Sequence, residues 1–128
     1  MLFDTDVLIW ALRGSKKAAK EIDNDENRFI SAVSYMELMQ CGRNKQEQIL
    51  LRQFLNELGF AVFPITDAIS HRTLILAEEH ALQSGIRLAN ALVFAAACKH
   101  SLTRCSVNDK HFRNIRPLDL KVFRPEKS

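Results

Sequence analysis

The chain has 128 residues, 26% of them charged and 47% apolar, an ordinary globular composition that can bury a sizeable core. Its net charge of +3 permits a phosphate-bearing partner without demanding one. No apolar run approaches the ~20 residues that span a bilayer, and Asp4 and Asp6 interrupt any signal-peptide pattern. Cys41, Cys98 and Cys105 are widely spaced and form no Cys-x-x-Cys pair, which argues against a zinc site or a disulfide framework. A reducing, cytoplasmic setting is expected, with no membrane association.

Taken in chain order, Met1 to Phe3 reads as a very short apolar strand that stops at Asp4-Thr5-Asp6. Val7 to Leu12 follows as a helical run, with Thr5 placed to cap it and Asp6 to complement its dipole. Arg13-Gly14-Ser15 is a break, and Lys16 to Ile22 a short helix. Arg28 to Ser31 is the second strand, after which Ser34-x-x-Glu37 has the spacing of a capping box at the start of a helix ending near Gly42. Lys45 to Leu58 is the next helix, with Leu51, Phe54, Leu55 and Leu58 on one face and Gly59 as its stop. Phe60 to Ile65 is the third strand. Thr66 and Asp67 cap a long helix reaching Ser84-Gly85, with Ile69, Thr73, Leu76, Ala77 and His80 at helical spacing. Leu88 to His100 is a nearly continuous apolar helix in which Asn90 stands alone. Ser101 to Ser106 is the fourth strand, Val107 to Phe112 a polar loop, and Asp119 to Phe123 an edge strand before a polar tail at 124–128.

Strands alternating with helices imply an α/β fold: a helix-rich three-layer α/β/α sandwich around a short, mainly parallel sheet. No repeat or linker divides residues 1–128, so a single domain is expected. In such sheets ligands bind beyond the carboxyl ends of the strands. Asp4 follows strand one, Glu37 the second strand and Asp109 the fourth, so these acids can converge on one edge. Clustered carboxylates repel, and a hard divalent cation such as Mg2+ or Mn2+ relieves that cost while supporting phosphodiester hydrolysis. Each residue also has an ordinary use: Glu37 in the capping box, Asp109 in a turn, Asn90 as a buried amide bonded to backbone.

Four segments together resemble the PIN-domain family, and within it the VapC toxins. Phe3 to Ile9 resembles the family's opening motif, which makes Asp4 the metal ligand, with Thr5 and Asp6 as accessory groups. Ser31 to Leu38 resembles the second motif and assigns its acid to Glu37. Gly85 to Leu92 resembles the third, where the family carries Asp and this chain has Asn90. Ser106 to Phe112 resembles the fourth, whose functional position corresponds to either Asn108 or Asp109. The resemblance implies a Mg2+-dependent (or Mn2+-dependent) endoribonuclease toxin that cuts structured RNA, in some relatives the initiator tRNA, and halts translation. It implies a catalytic and metal-binding set of Asp4, Glu37, Asn90 and Asp109, with activity impaired by the amide at position 90. It also implies a homodimer and neutralisation by a VapB-type antitoxin, for which Trp10 and Phe94 are exposed aromatic candidates.

Arg43, Lys45, Lys99, Arg104, Lys110, Arg113 and Arg116 flank segments leading to or from the acidic edge and are candidates for holding RNA phosphates, as is His111. Two other readings use the same layout. One is a PIN-like module that binds antitoxin or RNA without catalysis, favoured by Asn90. The other is a phosphoacceptor signalling domain, for which Asp67 is better placed as a helix cap than as an acceptor.

Overall fold

The computed structural model describes residues 1–84, 87–106 and 120–122, with backbone alone for 80–84 and 120–122. Among the described residues, five short strands form one sheet in the order β3-β2-β1-β4-β5: β1 (Leu2–Phe3), β2 (Phe29–Ser31), β3 (Ala61–Phe63), β4 (Arg104–Ser106) and β5 (Leu120–Val122). Every neighbouring pair is parallel, with Leu2 opposite both Phe29 and Arg104. The helices among the described residues are α1 (Thr5–Leu12), α2 (Lys16–Asp23), α3 (Ala32–Gln40), α4 (Lys45–Glu57), α5 (Asp67–Ser84) and α6 (Leu88–Lys99). This is the helix-rich α/β arrangement that the alternating pattern predicts.

The central strand explains the layering. Successive strand side chains point to opposite faces, so Leu2 and Phe3 enter different cores. Leu2 packs with Ile69 and Leu76 of α5 and the apolar side of α6. Phe3 packs with Val7 and Leu8 of α1, Ile22 of α2, Leu38 of α3 and Leu55 of α4. Helix α6 is apolar nearly all round because it lies inside: Ala91 and Val93 to Ala97 are all buried. Phe94 is therefore 2% exposed and Trp10 only half-buried, packed against the second core; Phe94 is not the surface aromatic that its sequence position suggests.

Helix starts explain two further departures from the sequence reading. Thr5 is the first residue of α1 rather than its cap; Asp4 takes the cap position in extended conformation, without a side-chain bond to the helix. Ser31, not Ser34, caps α3 by accepting from the Val33 N–H at 3.2 Å. The chain passes from β2 into α3 without a loop, so Ser34 is buried inside the helix and Glu37 lies in its second turn, freed from any capping box. Other boundaries agree with the expected signals. Ser15 caps α2, Asn44 caps α4, and Thr66 accepts from the Ile69 N–H at 3.3 Å. Gly59 ends α4 with φ +70, a conformation that costs glycine least. On α5 Ile69, Thr73 and Leu76 are buried, whereas Ala77 is exposed.

The strands are shorter than the apolar runs suggest. Ser101 has φ +53, so the connection from α6 turns before β4 begins at Arg104. Pro64 follows the end of β3, whose Val62 is 44% exposed at the sheet margin. No disulfide joins Cys41, Cys98 and Cys105; Cys41 is exposed, Cys98 half-buried and Cys105 buried. No described helix is long and apolar enough to cross a membrane.

Candidate active site

All strands run the same way, so the residues that follow β1, begin α3 and end β4 lie at one edge of the sheet. A cleft of about 160 Å³ opens there, lined by Asp4, Thr5, Asp6, Ser34, Glu37, Asn90, Val93 and Arg104. Four elements supply it: the β1–α1 junction, α3, α6 and β4. Asp4, Glu37 and Asn90, separated widely in sequence, are thus brought to one place, together with Thr5 and Asp6. Asn108 and Asp109 lie outside the described residues, as do Lys110, His111, Arg113, Arg116 and the side chain of His80.

The cleft is organised by hydrogen bonds between its own members. The Arg104 Nε–H donates to both oxygens of Asp4, at 2.8 and 2.9 Å. The Arg104 Nη2 group donates to Asn90 Oδ1 at 3.4 Å. Thr5 Oγ1 donates to Glu37 Oε1 at 3.0 Å, and Ser106 Oγ donates to Asp6 Oδ2 at 3.1 Å. The backbone N–H of Asp4 donates to the Cys105 carbonyl at 3.0 Å, which fixes the β1–α1 junction against β4. Asp4 and Arg104 are almost wholly enclosed, with side chains 9% and 2% exposed.

Arg104 is the main correction to the sequence reading. As a surface residue it would hold RNA phosphates; instead it is buried against the first acid. The reason lies in its strand: Arg104 pairs with Leu2 of the central strand and is 2% exposed at the floor of the cleft. A charge buried there requires a partner, and Asp4 is the one supplied. That signal was present in the sequence, since Arg104 interrupts an otherwise apolar or small strand between Leu102 and Ser106. Ser106 and Ser34 were likewise missed as cleft residues, and nothing in their local sequence distinguishes them from ordinary serines.

The donor chemistry suits a hard divalent cation, which prefers carboxylate, amide and hydroxyl oxygens. Asp4, Asp6 and Glu37 against Arg104 give three formal negative charges and one positive, leaving two negative. Asp4, however, already gives both oxygens to Arg104. Among the described residues no three acidic, histidine or cysteine side chains converge as a ready ligand set.

A second concavity, of about 610 Å³, lies between α1, α3 and α4. Ile9, Leu12, Leu38, Leu50 and Leu51 give it apolar walls, and Arg13, Arg43 and Glu47 a charged rim. Arg43 pairs with Glu47 at 3.1 Å. The Arg43 backbone N–H and guanidinium hold the Glu47 carboxyl below its ordinary value of 4.5. Arg43 belongs to this groove rather than to the acidic cleft; Lys45 and Lys99 are exposed and also do not line the cleft. Asp67 is exposed in the first turn of α5 and plays no part in the cleft, which removes the basis for a phosphoacceptor reading.

A parallel α/β protein with acids gathered beyond the central strands is the class that fold and cleft define. The PIN domain family model matches residues 1–117, and the chain belongs to that family. Among solved structures, it is similar to a toxin–antitoxin complex from Klebsiella pneumoniae, with 26% identity and TM-score 0.79, covering 94% of this chain and 95% of that one. It is similar to FitAcB from Neisseria gonorrhoeae, with 24% identity and TM-score 0.70 over 87% and 89% of the two chains. It is also similar to VapBC2 from Rickettsia felis, solved with a promoter DNA fragment, with 20% identity and TM-score 0.81 over 95% and 97%. No curated protein matches the sequence.

Proposed function

We propose that this chain is the toxin of a toxin–antitoxin pair and a Mg2+-dependent endoribonuclease. The observation that carries this reading is the meeting of Asp4, Glu37 and Asn90 in one cleft from three separate motifs. PIN membership supports nuclease chemistry, and the toxin–antitoxin neighbours support the partner.

In this reading Asp4, Glu37 and Asn90 hold the cation, with Asp6 as an accessory group. The fourth-motif position, Asn108 or Asp109, completes the set. Mg2+, or Mn2+ in its place, supplies positive charge against a scissile phosphodiester when bound. The protein's own groups orient that set. The Thr5 hydroxyl fixes Glu37, and the Ser106 hydroxyl fixes Asp6. A neutral amide at position 90 contributes one oxygen without charge, so it weakens cation binding relative to a carboxylate of the same shape. The substrate is a structured RNA, with the anticodon loop of initiator tRNA as the first to try, and its cutting stops translation. A VapB-type antitoxin covers the apolar groove with a short apolar segment, and the toxin acts as a cytoplasmic homodimer.

The test is cleavage of structured RNA with and without Mg2+ or Mn2+. Metal-dependent cutting that disappears in Asp4→Ala is the expected result. Asn90→Asp should cut faster and bind metal more tightly than the parent chain. Cleavage unchanged by either substitution would place the chemistry elsewhere.

A second reading is favoured by a specific observation: Arg104 engages Asp4 and Asn90 together. In that reading the chain binds antitoxin or RNA without cutting. Absence of cleavage in both the parent chain and Asn90→Asp, with the antitoxin still bound, is its signature.

A further inference from the structure

We propose that Arg104 is a resident cation that competes with the divalent metal for Asp4, so that metal binding requires the Arg104 guanidinium to give up the carboxylate. The proposal rests on the metal-site reading above and adds a regulator to it.

The geometry is specific. One nitrogen of Arg104 bridges both Asp4 oxygens at 2.8 and 2.9 Å. A second nitrogen reaches Asn90 Oδ1 at 3.4 Å. Two residues of the proposed ligand set thus already face a positive charge, supplied from β4 within the same chain. Charge-assisted bonds of this kind are roughly twice as strong as neutral ones. At 2% exposure the guanidinium has no water shell to retreat into, and its strand position beside Leu2 fixes the root of the side chain. A divalent ion approaching the cleft therefore meets an acid already held by a full positive charge. Glu37 accepts from the Thr5 hydroxyl and Asp6 from the Ser106 hydroxyl, donors that carry no charge.

Asn90 fits the same picture. Its oxygen accepts from Arg104 as a carboxylate oxygen would, but without full charge. The amide leaves Asp4 as the one ionised acid that Arg104 contacts in these bonds. A carboxylate at position 90 would divide the guanidinium between two acids and loosen its hold on Asp4. Arg104 and residue 90 then form one device: the first sets the competition and the second sets its strength.

The experiment titrates the purified full chain with Mn2+ alone, read by electron paramagnetic resonance and by thermal unfolding, for the parent protein and for Arg104→Gln and Arg104→Lys. Arg104→Gln should bind Mn2+ about tenfold more tightly or better, the order by which neighbouring groups tune metal affinity. Its unfolding temperature should rise more with Mn2+ than the parent's, because bound metal replaces the lost charge. Arg104→Lys keeps a cation in the cleft and should stay nearer the parent. Equal Mn2+ affinity in all three overturns the competition and leaves the metal site standing. No binding in any of them overturns both. Should Arg104→Gln fail to fold, the parent chain alone decides through the nuclear magnetic resonance signal of the Arg104 Nε–H. Titrated Mg2+ should shift that signal in step with binding; binding that leaves it unmoved overturns the proposal.

Discussion

The acidic cleft and the apolar groove each contain an arginine paired with a carboxylate, and the two pairs behave oppositely. Arg104 and Asp4 are enclosed at the centre of the sheet, 100 residues apart in sequence. Arg43 and Glu47 sit four residues apart on the surface, with the arginine 87% exposed. The buried pair holds two distant chain segments in register, and losing Arg104 leaves the Asp4 carboxylate buried without its guanidinium. The exposed pair decorates a rim, where solvent screens it and side-chain entropy offsets it. Equal-looking contacts therefore differ in consequence because of where the fold puts them.

The sharpest way to break this comparison is to remove one buried partner. Arg104→Ala should destabilise the fold by about 3–5 kcal/mol, the cost of an unpaired buried charge plus the lost packing. Chemical denaturation measures it directly, and a loss comparable to that of a surface substitution would mean that water reaches Asp4 freely.

Next in size is an effect on binding rather than folding. Leu50 lines the groove and is 59% exposed, so Leu50→Asp should leave the unfolding midpoint nearly unchanged. It should nevertheless weaken antitoxin binding by about 1–2 kcal/mol or more, roughly tenfold, by placing a charge against an apolar partner. Calorimetric titration of the cognate antitoxin gives the number, and undiminished affinity would move the docking surface elsewhere.

The smallest effect belongs to the exposed pair. Arg43→Ala should change stability within measurement error in physiological salt. Its trace is in pH dependence. The Glu47 carboxyl titrates below its ordinary 4.5 in the folded chain, so whatever it contributes is present above that value and is lost as pH falls through the lower, folded one. Comparing the acid limb of thermal unfolding for the parent and Arg43→Ala isolates it; identical limbs would show the pair to be idle.

Much of this architecture was legible in the sequence, for physical reasons that also mark where legibility ended. Alternation of short apolar runs with helical periodicity gave the parallel sheet, and the edge strand near residue 121 is present as Leu120–Val122. Asp4 and Glu37 were recognisable because each follows a strand, and Asn90 through the third-motif resemblance; the three line one cleft. Local rules failed where two plausible caps competed. Ser31 and Ser34 both suit a helix start, and only the direct passage from β2 into α3 selects the first. Phe94 and Arg104 failed for a tertiary reason. Their burial depends on α5 covering α6 and on β4 lying beside β1; for Arg104 the one local sign was a charge inside an otherwise apolar or small strand.

The position of β1 in the sheet bears on when the cleft can form during synthesis. The strand is two residues long, is made first, and is central, with β2 on one side and β4 on the other. Its second partner is among the last parts of the fold to be synthesised. At roughly 5–20 residues per second, a ribosome takes about 5–20 s to travel from Asp4 to Arg104. Until then the acids of the cleft lack the strand that encloses them, and Phe3 lacks its neighbour Cys105. A nascent chain at that stage thus carries Asp4, Glu37 and Asn90 without the strand that brings Arg104 to them. Chain order itself delays assembly of the cleft until β4 has left the ribosome.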